Sequence, residues 1–256
     1  MVIDFLHDDK PSLRACSLVC TSWAPPAHYH LFYSHRVEAR HDQGGYIEQF
    51  GKPSTEPLRS CIRELTLAAG PIHSLSPVLT DDTVVRALEC LPRLRSLKLR
   101  QTGFTSSKLS SELRGHYHLD KLSISWMYPS IPGSGNSLVS LLSLFHTICV
   151  LDLDVIHHKH LLSSGLPPLN DENRLLRSLR VHTLQLHDIS EALITSIHAT
   201  IRPDYLQAIR ASITATDDIQ HLGTLIRRVA PNLQDLQLSL WNFWCGDRAG
   251  TTLRSL

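Results

Sequence analysis

The chain has 256 residues, 42% of them apolar, with 25 basic and 24 acidic side chains and a formal charge of +1. That suffices for one large domain, or for a small unit and a larger one, and the balance without a Lys/Arg block argues against a dedicated nucleic-acid surface. Six cysteines, at 16, 20, 61, 90, 149 and 245, lie far apart in mostly apolar contexts, which reads as buried thiols in a reducing compartment rather than a disulfide frame.

Val2, Ile3, Phe5 and Leu6 predict a first short helix. Asp9 is placed to cap a second, in which Pro11 is tolerated in the opening turn because its missing N–H would be unpaired there anyway. Leu13, Cys16, Val19 and Cys20 follow at helical spacing, and Pro25-Pro26 is expected to end that helix. Tyr29, Leu31, Phe32 and Tyr33 begin a further apolar segment. Asp4, Asp8 and Asp9 argue against a secretory leader, so the expected location is cytoplasmic or nuclear. From periodicity alone, this is a helical hairpin that caps a larger fold.

The order of residues supports a sharper reading. Ile3-Asp4-Phe5-Leu6, an acidic-proline turn, and Ser12-Leu13-Arg14-Ala15-Cys16-Ser17-Leu18-Val19-Cys20-Thr21-Ser22-Trp23 resemble the F-box family, fungal members above all. The resemblance implies a small helical core whose apolar edge packs on a Skp-type adaptor of a ubiquitin ligase. Carried over residue by residue, it assigns adaptor contact to Leu6, Leu13, Leu18, Val19, Cys20 and Trp23. The family motif opens upstream with a Leu-Pro pair and a glutamate. Here Met1-Val2-Ile3 begins the chain, so the F-box is expected to be incomplete at its N-terminus. Cys16 and Cys20, with His28 and His30 nearby, lack the spacing of a zinc site and read as packed core.

Residues 38–57 are rich in Gly, Pro and polar side chains and read as a linker or surface loop. Beyond them a pattern recurs: apolar, two variable, apolar, one variable, apolar. It starts at Ile62, Leu94, Leu119, Ile148, Leu176, Leu206 (a weak copy) and Leu233, at spacings between 25 and 32 residues. For the fifth copy, Val181-x-x-Leu184-x-Leu186 is an alternative frame. Leu253-Arg-Ser-Leu256 reads as the start of another copy, cut off by the end of the chain. A repeat of this length and signature resembles the leucine-rich repeats, in which each copy lays down one strand and stacked copies share one core. Between strands, Thr80-Asp81-Asp82 is expected to cap a helix through Val84, Val85, Leu88 and Leu91, closed by Pro92, and Leu222, Leu225, Ile226 and Val229 mark another. The apolar run from Leu138 to Ile156 is broken by His146, Asp152 and Asp154 and does not suit a membrane span. The family's usual Asn or Cys is replaced by Gly70, Thr102, Met127, Ile156 and Trp241, so an irregular, loosely curved stack is expected.

The expected fold class is therefore α/β. An F-box-like helical unit (residues 1–37) and a linker (38–57) precede an irregular leucine-rich-repeat solenoid (58–256) with a parallel sheet and outer helices.

No catalytic constellation emerges. Gly133-x-Gly135 follows Pro132 in a Ser-rich turn, and neither a Gly-x-Ser-x-Gly elbow nor a His-Glu-x-x-His helix occurs. His116-x-His118 and His157-His158-Lys159-His160 lack further local ligands and read as solvated histidines. Asp152 and Asp154 have the form of an acid/base pair but read as surface charges. Recognition is expected on the open face of the sheet, where Arg95, Lys98 and Arg100 project from one strand, Asp152 and Asp154 from a later one, and Arg177 and Arg180 follow. Trp241, Phe243 and Trp244 are either a partner anchor or a cap over the end of the core. The expected function is that of a non-enzymatic substrate receptor without cofactors, joining a Skp-type adaptor to an unknown protein target. The alternative is a stand-alone repeat scaffold with a degenerate F-box. Neither nucleic acid nor membrane is an expected partner.

Overall fold

The computed structural model describes residues 2–39, 43–69, 78–100, 103–105, 115–126, 134–155, 178–187, 189, 191–214, 216–240 and 251–254. The chain opens with a 3-10 helix over Val2–Leu6, helix α1 (Lys10–Val19) and helix α2 (Ala24–Phe32). Asp9 caps α1, its carboxylate accepting from the Ser12 N–H at 3.2 Å, with Pro11 in the first turn. Pro25 and Pro26 do not end α1, as their position suggested; they sit in the first turn of α2, where a missing N–H costs nothing. Ile3, Leu13 and Ala27 form a small core of their own, with Leu6, Cys16 and Leu31 packed against it.

An α/β body follows. Strand β1 (Ser34–Ala39) is succeeded by helices α3 (Gln43–Phe50) and α4 (Glu56–Arg59), then by β2 (Glu64–Ala69), β3 (Val78–Thr80), helix α5 (Asp81–Cys90), β4 (Ser96–Arg100) and β5 (Gly103–Thr105). The second half comprises β6 (Tyr117–Trp126), α6 (Ser134–Ser143), β7 (Phe145–Val155), β8 (Arg180–His187), α7 (Glu191–Thr200), β9 (Ala208–Ile213), α8 (Thr216–Val229), β10 (Asp235–Leu240) and β11 (Thr251–Arg254). Nine strands form one sheet in the order β1-β2-β4-β6-β7-β8-β9-β10-β11, and β3 pairs with β5 apart from it. The first eight run parallel, each beside its predecessor.

The recurring leucines set this register. Leu65, Leu97, Leu122, Leu151, Leu184, Ile209 and Leu236 are partners across the sheet, and so are Leu67, Leu99, Ile124, Leu153, Leu186, Ala211 and Leu238. Sheets of parallel strands covered on both faces read as unbroken apolar runs. Here polar residues alternate with apolar ones along the strands, and among the described residues the helices pack on one face. On that face the strand leucines share a single core with Val84 and Leu88 of α5, Leu138 and Leu142 of α6, Ile194 and Ile197 of α7, and Leu222 and Leu225 of α8. Thr80 caps α5 as its sequence suggested, accepting from the Thr83 N–H at 3.3 Å.

Four details depart from the sequence reading. Residues 38–57 are not simply a surface loop: they hold the end of β1 and helix α3, whose Ile47 and Phe50 enter the main core three residues apart. Strand β1 adds a parallel member that the leucine pattern did not mark. In the fifth copy the frame beginning at Val181 is the one that pairs, Leu184 beside Leu151 and Leu186 beside Leu153. The Leu253 copy does not extend the parallel series, since β11 returns antiparallel to β10. Only residues 241–250 separate those two strands, and a parallel crossover needs a dozen or more. The positions expected to carry Asn or Cys lie outside the described residues, as do Arg177, His157 to His160, Trp241, Phe243, Trp244 and Cys245.

Candidate functional site

The first candidate surface lies on the N-terminal helices. Among the described residues the large exposed apolar side chains are Phe5, Leu18, Val19, Trp23, Tyr29 and Ile219, and all but Ile219 fall between residues 5 and 29. Leu18 is 87% exposed, Phe5 86% and Val19 64%. Such a concentration is costly to leave in water, which makes these helices a candidate contact surface. The helices present it because Leu13 and Ile3 face inward and tie the short elements together, while His30 Nε2 meets Asp4 Oδ1 at 3.0 Å across the unit.

The sequence-derived positions divide accordingly. Leu18, Val19, Cys20 and Trp23 are exposed, and Leu6 is half-buried. Leu13 is fully buried, so it holds the unit together and is not available for direct contact. Cys20 is not core either; a hydrogen bond with the Ser22 hydroxyl and another from the Trp23 backbone hold its thiol below the usual range. Phe5 and Tyr29 are exposed as well; they were not singled out because apolar residues at helical spacing read first as core.

The second candidate surface is the unpacked face of the sheet. One row across it reads Arg36, Thr66, Lys98, Ser123, Asp152, Gln185, Arg210 and Gln237. The next reads Glu38, Ala68, Arg100, Ser125, Asp154, His187, Ser212 and Ser239. Lys98, Arg100, Asp152 and Asp154 thus share the face, the basic pair two strands from the acidic pair, about 10 Å at the usual strand spacing.

Asp152 is the hub. Its Oδ2 accepts from the Ser123 hydroxyl at 3.2 Å and lies 3.5 Å from Lys121 Nζ, while its Oδ1 lies 3.6 Å from His187 Nε2. His187 Nδ1 stands 3.5 Å from Ser212 Oγ. The order Asp–His–Ser is that of an acyl-transfer triad, which would also need donors for an oxyanion beside Ser212. The strand that carries it is paired on both sides, which commits its backbone N–H groups to the ladders.

Arg95 and Arg180 do not join this face. In the copies that begin at Leu94, Leu119 and Ile148 the first and second apolar positions are both buried, so the alternation slips between them, and the residues directly after the first (Arg95, Asp120 and Cys149) fall outside these two rows. Arg95 precedes β4, and its Nε lies 3.9 Å from Asp120 Oδ2. Arg180 opens β8 in a row with His118 and Thr147, and its guanidinium lies over the Tyr205 ring at 4.7 Å. No protein-family model matches the chain, and no curated protein matches it.

Proposed function

We propose that this chain is a non-enzymatic substrate receptor of an F-box-type ubiquitin ligase. In this reading the N-terminal helices dock on a Skp-type adaptor, and the body is an irregular leucine-rich-repeat solenoid whose open face holds a protein target. The observation that carries it is the concentration of Phe5, Leu18, Val19 and Trp23 as exposed apolar side chains on a helical unit with its own core. A partner of matching apolar chemistry buries them, and aromatic and large aliphatic side chains dominate such contacts. The in-order parallel strands and their stacked leucines support the repeat reading. On the open face, Lys98 and Arg100 followed by Asp152 and Asp154 favour a target with the complementary sequence of charges.

The test is co-expression of the full chain with a Skp-type adaptor, followed by affinity capture. The wild type retains the adaptor, and Leu18→Glu with Trp23→Ala loses it while keeping the wild-type unfolding midpoint. Failure of the wild type to retain any adaptor, or equal retention by the variant, overturns the reading; the former outcome leaves the stand-alone scaffold.

A further inference from the structure

Arg95, Asp120 and Cys149 each follow the first apolar residue of their copy, at Leu94, Leu119 and Ile148. They therefore gather on one rim of the sheet, with His118 one residue before Leu119. His118, Asp120 and Cys149 place an imidazole nitrogen, a carboxylate oxygen and a thiol sulfur all within 4.8 Å of one another. The backbone beneath them is fixed, because Leu119 and Ile148 are direct cross-strand partners and both are fully buried. Donors mounted on paired strands are held more precisely than donors on loops.

We propose that His118, Asp120 and Cys149 form a binding site for a divalent transition metal of the zinc type. Mixed nitrogen, oxygen and sulfur donors suit a borderline cation and not Mg2+ or Ca2+, which take oxygen ligands. Bond lengths of about 2.0–2.3 Å to zinc put tetrahedral ligands roughly 3.3–3.8 Å apart. His118 Nε2 and Asp120 Oδ1 already stand at 3.6 Å, and both side chains are at least half exposed and free to close the remaining gap. Three protein ligands leave a fourth position toward solvent for water or a donor from a bound partner.

Binding replaces a proton by a metal ion. The Cys149 S–H bond breaks, its electron pair forms the metal–sulfur bond, the proton passes to solvent, and nothing is oxidised or reduced. Burial, and then the negative charge of Asp120, push the Cys149 thiol up from its usual range; a cation at the same point reverses the second of these effects. Arg95 competes for Asp120 from 3.9 Å, and its positive charge opposes an arriving ion.

The test uses the full chain with Zn2+ by calorimetry and Co2+ by absorption. One ion binds per chain, and bound Co2+ shows the thiolate charge-transfer band and strong visible bands of a tetrahedral sulfur-ligated site. Cys149→Ser abolishes the charge-transfer band, and His118→Ala weakens Zn2+ binding by more than about tenfold. Arg95→Ala tightens binding, and His221→Ala, on the outer helix α8, leaves it unchanged. All four variants sit at half-buried or exposed positions, so a wild-type circular dichroism spectrum is required of each. The proposal is overturned by a wild-type Co2+ spectrum without the thiolate band, or by Zn2+ affinity that survives Cys149→Ser with His118→Ala and disappears on substitution of His157, His158 and His160.

Discussion

His35 of β1 lies directly beside Leu65 of β2 in the parallel register. It therefore stands at the head of the row that continues through Leu97, Leu122, Leu151, Leu184 and Ile209, all of them buried. An imidazole takes a leucine's place at the edge of the core, with Phe50 of α3 edge-on at 5.4 Å. Burial, and then the positive charge of Lys10, lower its pKa from the ordinary 6.5. The unfolded chain therefore binds the proton first as pH falls, so stability rises with pH through the window just below 6.5 and is lost on acidification through it. Replacing His35 by Leu removes this term. Urea unfolding midpoints of the two proteins should diverge below 6.5 in favour of the variant, and the gap should narrow above it. A gap independent of pH would show that His35 titrates normally.

The two cores predict separable stability. Leu13 belongs to the small cluster with Ile3 and Ala27, while Leu97 belongs to the large one shared by sheet and helices. Each Leu→Ala change removes a fully buried side chain and costs about 2–5 kcal/mol of whatever unit it supports. Leu97→Ala should lower the unfolding midpoint of the whole sheet. Leu13→Ala should raise amide exchange in residues 2–32 and leave the protection of β4, β6 and β7 at its wild-type level. Equal loss of protection in the strands after Leu13→Ala would mean that the N-terminal helices and the body unfold as one.

Why some of this was legible from residues alone, and some not, follows from what fixes each feature. A Leu-x-x-Leu-x-Leu copy specifies a strand and the face it buries, so the pairing of Leu97 with Leu122 and Leu151 is implicit in the spacing. Strand β1 carries only Val37 and Ala39 as apolar members, with His35 where the pattern demands leucine, and it forms because β2 supplies a ladder. Helix α3 was hidden by the glycines at 44, 45 and 51, although Ile47 and Phe50 carried the helical spacing. Arg95 was misplaced because strict alternation fails between the first two apolar positions of its copy, and Arg180 because the frame that pairs begins one residue after it, at Val181. The rim cluster had a usable signal: superposing the copies that begin at Leu119 and Ile148 puts Asp120 beside Cys149. The exposure of Phe5 and Tyr29 had none, since an apolar residue on a short helix looks the same whether it faces a core or a partner.

Thr80 should account for a measurable part of the stability of α5. Its hydroxyl accepts the Thr83 N–H, which has no partner within the helix, and lies 2.9 Å from the Thr83 hydroxyl. Thr80→Ala should cost about 0.5–2 kcal/mol, and Thr80→Ser should retain most of that stability, since serine caps at least as well. Chemical denaturation of the three proteins checks the order wild type, Ser, Ala. A Ser variant as unstable as Ala would assign the loss to the missing methyl group and not to the cap.

Asp152 separates stability from recognition on the open face. Its carboxylate meets Lys121 at 3.5 Å and His187 at 3.6 Å, and both partners are more than one-third exposed. Ion pairs of this exposure contribute little, because water and salt screen them and two side chains lose freedom to form them. Asp152→Asn keeps an oxygen for the Ser123 hydroxyl while removing the charge, so it should cost less than about 1 kcal/mol, with the difference shrinking further at high salt. The same substitution, together with Asp154→Asn, leaves Glu38 as the remaining carboxylate of the two rows, against Arg36, Lys98, Arg100 and Arg210. Capture of an acidic peptide library should therefore increase and that of a basic one decrease, at unchanged unfolding midpoint. A loss of several kcal/mol on Asp152→Asn would instead identify the network as structural, and would place the recognition charges elsewhere.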